Sequence, residues 1–281
     1  MDVITTTALN YSYPDGTKAL DEVNFRVGKG EFIGLLASNG SGKTTLLKIL
    51  SGMIKPEKGV VEVNGEPLSK IGQKELFRMM GMVFQNPADQ LFSSTVADDV
   101  AFGPTNMGLS PTEIEKRVSE ALDAVGIREL AKKPVQRLSF GQQKRACIAG
   151  LLAMGQDIML LDEPTAGLDP MGEYRIMELL MKLNREKGIT MVMSTHNVDM
   201  VPLFIDRLYI LSKGRIAREG TPAEVFNTSS DLSRVKLRLP QIAELIKQMK
   251  ETDSVHFDKL PLTIGEARRA LIKKIRLPGV G

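Results

Sequence analysis

Apolar positions along the chain fall into two rhythms, one of short alternating or continuous runs and one of helical spacing. Residues 3–9 (VITTTAL), 23–27 (VNFRV), 31–36 (EFIGLL) and 59–65 (GVVEVNG) are short, rich in β-branched residues and separated by Pro, Gly and Asp turn signals. They predict an antiparallel sheet that feeds a buried strand. After Gly42 the spacing becomes helical, with Leu46, Leu47 and Leu50 on one side. Residues 157–163 (DIMLLDE) and 189–195 (ITMVMST) are nearly unbroken apolar runs, each preceded by a helical pattern. Strands of a parallel sheet, covered on both faces, have that character. Residues 111–125 and 171–187 predict amphipathic helices, the first with Ser110 as N-cap and Pro111 at the first helical position. Residues 207–219 predict a hairpin turning at Lys213-Gly214, and 227–230 a polar linker. Two further helices are expected over 240–250 and 263–275. The sum is an α/β fold over 1–226 with a small helical extension over 227–281.

Composition narrows the classes. The 281 residues are 42% apolar, enough for a folded core. No stretch offers the ~18 uninterrupted apolar residues of a membrane span, and the N-terminus lacks the basic start and apolar run of a secretion signal. The chain is therefore expected not to cross a membrane by itself. With one cysteine, Cys147, an internal disulfide is impossible, and its apolar helical surroundings predict a small core residue. The net charge of +3 is unevenly spread, since residues 232–281 carry 11 Lys and Arg against 5 Asp and Glu. Such a tail suits a solvated helix face or a protein contact. No aromatic platform accompanies it, so no nucleic acid is expected.

The sharpest chemical signal is the run from Ala37 to Thr45 (ASNGSGKTT), placed between the strand IGLL and a helix. There the backbone N–H groups of Ser38, Asn39, Gly40, Ser41, Gly42, Lys43, Thr44 and Thr45 can converge on a phosphate. Lys43 would reach the β- and γ-phosphates of a nucleoside triphosphate, and the Thr44 hydroxyl would ligate Mg²⁺. The usual first glycine is Ala37, which serves if its φ is negative. Asp162 and Glu163 follow a buried strand, at the end where open α/β sheets bind ligands. Strand alternation lets them diverge, with Asp162 holding Mg²⁺ through water and Glu163 activating the attacking water. Ser139 can cap a helix starting near Gly141, giving the chain a second helix start suited to an anion but without a lysine.

Leu138-Ser139-Phe140-Gly141-Gln142, with Asp162-Glu163-Pro164-Thr165-Ala166-Gly167-Leu168-Asp169-Pro170, resembles the signature, Walker B and D-loop of ABC ATPases, a likeness running in order to about residue 225. Phe140 departs from the usual Gly. The resemblance implies a P-loop NTPase of ABC type: an N-terminal antiparallel β subdomain, a parallel RecA-like core and a helical signature subdomain at about 86–155. It implies ATP and Mg²⁺ as ligands, and a second ATPase subunit, identical or paralogous, whose Ser139, Gly141 and Gln142 complete the ATP site. It further implies Tyr13 stacking on adenine, Gln85 sensing Mg²⁺ and water, and His196 contacting the γ-phosphate. Residues 84–92 (FQNPADQLF) and 96–104 (VADDVAFGP) are similar to ATPases of energy-coupling-factor importers, nearest the cobalt-importer ATPase. Pro261-Leu262-Thr263 and the basic helix after it resemble that group's C-terminal extension, which assists dimerisation. Membrane-embedded transport and substrate-binding subunits, at the cytoplasmic face of the cell membrane, would follow. The cargo class would be cobalt, nickel or a vitamin. A soluble ABC ATPase and a nucleotide-binding regulatory module remain alternatives.

Overall fold

The computed structural model describes residues 1–275 apart from Asn39, 228–231, 233, 234 and 236. The chain opens with β1 (Asp2–Ser12) and β2 (Lys18–Gly28), paired antiparallel, and then sends β3 (Phe32–Leu36) into a second sheet. Helix α1 (Lys43–Leu50) follows, and β4 (Lys58–Val63) with β5 (Glu66–Pro67) complete the first sheet in the order β2-β1-β4-β5. Helix α2 (Gln73–Met79) leads into β6 (Met80–Val83). A helical block comes next, made of α3 (Val96–Asn106), α4 (Pro111–Ala124) and α5 (Phe140–Met154). The chain returns as β7 (Ile158–Asp162), α6 (Pro170–Lys187), β8 (Thr190–Thr195) and α7 (Val201–Phe204). The hairpin β9 (Arg207–Ser212) and β10 (Arg215–Gly220) precedes α8 (Pro222–Asn227), α9 (Gln241–Glu251) and α10 (Ile264–Ile275).

The second sheet has the order β10-β9-β3-β8-β7-β6. All neighbours in it pair parallel except the β9–β10 hairpin. The loops after β3, β6, β7 and β8 therefore leave from one edge, which is where the chemistry-bearing segments cluster. The unbroken apolar runs have a direct cause in the core. Ile33, Leu35, Ile158, Leu160 and Val192 pack with the first sheet and α1, while Leu36, Met159, Leu161, Met191 and Met193 pack with the helical block. Alternating residues of each central strand thus serve opposite cores, so neither face can be polar.

Local signals act as the sequence predicts. Ser110 Oγ accepts from Glu113 N at 3.3 Å with Pro111 opening α4. Lys213 and Gly214 both have positive φ, +49° and +77°, the backbone a two-residue hairpin needs. Cys147 is buried, and burial pushes its thiol up to about 12, so it packs and does not react. The linker reading at 227–230 falls, apart from Asn227 at the end of α8, outside the described residues. Beyond it, Leu232, Leu239, Ala243 and Leu262 join the core of the helical block, and Ile246, Phe257 and Ala267 form a small cluster of their own. The extension shares its packing with the body. Among the described residues, no helix is long and apolar enough to cross a membrane.

Candidate active site

Helix α1 begins where the loop after β3 turns sharply. Gly40 and Gly42 have φ of +75° and +100°, and a Cβ on Gly42 would overlap the Ala19 carbonyl, so only glycine fits there. Ala37 keeps its φ out of the left-handed region, which answers the missing first glycine. The Ser38 and Ser41 hydroxyls are hydrogen-bonded at 3.0 Å and brace the loop. Lys43 is buried, and its Nζ donates to the Ala37 carbonyl at 3.1 Å, folding the side chain back over the loop. Thr45 Oγ1 lies 2.8 Å from the Tyr13 hydroxyl. That contact holds Tyr13 at the rim, its half-exposed ring edge-on to Tyr11 at 5.2 Å. Asn39 lies outside the described residues.

At the end of β7 the two carboxylates diverge, as strand geometry predicts. Asp162 accepts from Thr44 Oγ1 at 2.8 Å and from Ser194 Oγ at 2.6 Å. The same Ser194 hydroxyl accepts from the Glu163 N–H at 2.9 Å, so one fully buried serine fixes both acids. Glu163 sits at φ +43°, a left-handed conformation that costs a non-glycine residue roughly 1–2 kcal/mol. The turn aims its side chain away from Asp162. Its carboxylate lies 3.6 Å from Lys43 Nζ, accepts from Gln85 Nε2 at 3.1 Å, and stands 3.5 Å from His196 Nδ1. Loops after β3, β6, β7 and β8 thus each supply one member of a single cluster.

This cluster floors a cleft of ≈ 790 Å³ that also takes in Tyr13, Ser38, Gly40, Ser41 and Gly42. Thr44 and Gln85 line one side of it, with the buried Asp162 carboxylate directly behind Thr44 Oγ1 at 2.8 Å, a set of hard oxygen donors of the chemistry that Mg²⁺ prefers. Sequence reasoning missed two contributors. Ser194 was detectable as a hydroxyl following the apolar run Met191–Met193 and preceding Thr195. Arg238 lines the cleft from the extension, and its guanidinium pairs with Asp199, three residues after His196. Gln241 N also donates to Asp199 Oδ1, at 2.6 Å. Only the basic character of the tail hinted at that contact.

Ser139, Gly141 and Gln142 lie elsewhere. Ser139 Oγ accepts from Gln142 N at 3.4 Å while Gln142 Oε1 accepts from Ser139 N at 3.0 Å, a reciprocal cap that opens α5. With Phe140, Gly167 and Asp169 they line a second cleft of ≈ 600 Å³. Within one chain the two clefts have no lining residue in common.

Residues 20–166 match the family described as ABC transporter. The chain belongs to the ABC transporter ATPase family. This ABC ATPase is 46% identical over 278 residues to the energy-coupling factor transporter ATP-binding protein EcfA of Methanocaldococcus jannaschii, covering 98% of this chain and 99% of that protein. A solved structure of similar fold is cbiO1 of Clostridium perfringens, described as part of the ABC transporter complex cbiONQ. It matches with a TM-score of 0.76 at 44% identity, covering 88% of this chain and 99% of that one. A second is the ATP-binding cassette MJ0796, solved as a dimer in a post-hydrolysis state with ADP and Pi, with a TM-score of 0.70 at 30% identity over 78% and 98% of the two chains.

Proposed function

We propose that this ABC ATPase drives an energy-coupling-factor importer of cobalt, nickel or a vitamin, working as a pair of ATPase subunits at the cytoplasmic face of the cell membrane. The observation that carries the reading is the convergence of Lys43, Gln85 and His196 on the Glu163 carboxylate beside the phosphate loop. In this reading the loop N–H groups and Lys43 hold the β- and γ-phosphates, and Tyr13 flanks the adenine. Thr44, Asp162 and Gln85 would hold Mg²⁺, which neutralises charge on the phosphate oxygens. Glu163 accepts the proton of the attacking water, with Gln85 and His196 setting where that water and the γ-phosphate sit.

The lysine-free cleft at Ser139 supports pairing. It presents a capped helix start that lacks a lysine, while the Lys43 cleft is open to solvent. A head-to-tail partner supplying Ser139, Gly141 and Gln142 would close it over the γ-phosphate, and hydrolysis would release the bridge. Membrane-embedded transport and substrate-binding subunits would take up that motion. The likeness to EcfA and cbiO1 favours the energy-coupling-factor class over a soluble ABC ATPase.

The test is to isolate the tagged chain from membranes of its native host, identify what co-purifies and assay the reconstituted complex in vesicles. The expected result is a membrane protein complex whose uptake of cobalt, nickel or a vitamin requires ATP and magnesium. A chain found only in the soluble fraction, hydrolysing ATP without any membrane partner, would contradict it.

A further inference from the structure

Lys144 lies on the second turn of α5 with its side chain fully buried, among the largest enclosed side chains of the molecule. Its ammonium donates to the backbone carbonyl of Gln85 and, at 3.4 Å, to that of Glu163. The Phe140 ring covers it, with Nζ 5.4 Å from the ring centroid. These two carbonyls belong to the residues whose side chains meet in the first cleft, Gln85 Nε2 to Glu163 Oε2 at 3.1 Å.

An enclosed ammonium is expensive. Desolvation holds its pKa below the usual lysine value, opposed by the nearby Asp162 and Glu163 charges. An unbranched apolar side chain would fill the same space without that penalty, so stability alone does not account for a cation here. What the cation adds is geometric. It ties the loop after β6 and the turn after β7 to the same helix, and the N-terminus of that helix carries Ser139, Gly141 and Gln142.

We infer that Lys144 is a positioning residue for ATP hydrolysis, fixing Gln85 and Glu163 relative to each other and to the start of α5. The departure at Phe140 then has a use. Its ring caps the Lys144 ammonium on one side and packs on Gly167 on the other, where a Cβ would stand 3.0 Å from the ring. A shift of the α5 N-terminus in the second cleft reaches the first cleft through one buried side chain. The inference rests on the roles proposed above for Glu163 and Gln85.

Steady-state ATP hydrolysis by the full-length chain with magnesium tests it, comparing wild type with Lys144→Met and Lys144→Gln. Lys144→Met keeps the length and loses both carbonyl ties. Its kcat is expected to fall about 10- to 100-fold with KM for ATP within about twofold of wild type, since misplacing a reacting group by about 1 Å costs that order. Lys144→Gln, one atom shorter but still a donor, is expected to lose less, about threefold to tenfold. A folded Lys144→Met enzyme with wild-type kcat overturns the assignment, as does a loss expressed in KM alone. If Lys144→Met fails to fold, Lys144→Gln decides: an unchanged kcat overturns the inference and a kcat-only loss supports it. A wild-type chain that hydrolyses no ATP would instead refute the proposed function itself.

Discussion

Glu163 stands where a buried strand stops, in a backbone conformation that few glutamates adopt. Its carboxylate is shared among a lysine, a glutamine and a histidine from three other loops. Glu163→Gln keeps the side-chain shape and can still bond to Gln85, but it removes the atom that accepts a proton. The expected outcome is a loss of kcat of about 100-fold or more with nucleotide affinity unchanged. Phosphate release and a fluorescent-nucleotide titration check the two halves. Hydrolysis within tenfold of wild type would discredit Glu163 as the base. At this scale, Lys43, Thr44, Asp162 and Glu163 are legible in the sequence because each holds a set offset from a strand end, while Gln85 and His196 are picked out by the family resemblance. Ser194 is half-hidden, since a hydroxyl at the end of a buried strand does not say what it bonds to. Lys144 is invisible, because a lysine on a helix ordinarily reaches water and only the tertiary fold encloses this one.

Helix α5 joins a capping problem to a functional one. Its reciprocal cap engages the Ser139 and Gln142 N–H groups, and Ser139, Gly141 and Gln142 line the second cleft. Ser139→Arg removes a cap contributing about 1 kcal/mol, which lowers the melting temperature by roughly 2–4 °C. It also places a long cation where the partner's γ-phosphate would dock. Hydrolysis is expected to fall about 100-fold, the usual consequence of losing a donor aimed at developing charge. Nucleotide binding at Lys43 in the same chain should be unaffected. Normal turnover in this variant, measured by phosphate release, would count against a shared site. Most elements are legible because their apolar periods are strong. The short elements α2, β6, α7 and α8 are not legible, and neither is helix α3, since Gly103 and Pro104 fall inside it and read as breakers. Its start is secured instead by Thr95, whose hydroxyl accepts from Asp98 N at 3.2 Å, and by Val96 and Val100 in the core.

At the scale of the whole molecule, two features govern how it works. The extension is held to the body by shared core residues and by the Arg238–Asp199 pair beside the His196 loop, an arrangement that composition alone could not reveal. The two clefts share no lining residue, and in the proposed reading a single copy carries both halves of a site without assembling it. The first cleft was predictable from sequence because the phosphate loop and the Asp162-Glu163 pair each follow a buried apolar strand. The second cleft was predictable only as a capped helix start, because the meaning proposed for it depends on another molecule.

That dependence gives the most direct test. Sedimentation of the Glu163→Gln chain with magnesium and ATP is expected to show a species of twice the 30.9 kDa chain mass, retaining two nucleotides, that reverts to single chains when ATP is replaced by ADP. A chain that binds ATP to saturation yet sediments as one copy under the same conditions would contradict a site shared between Lys43 and Ser139.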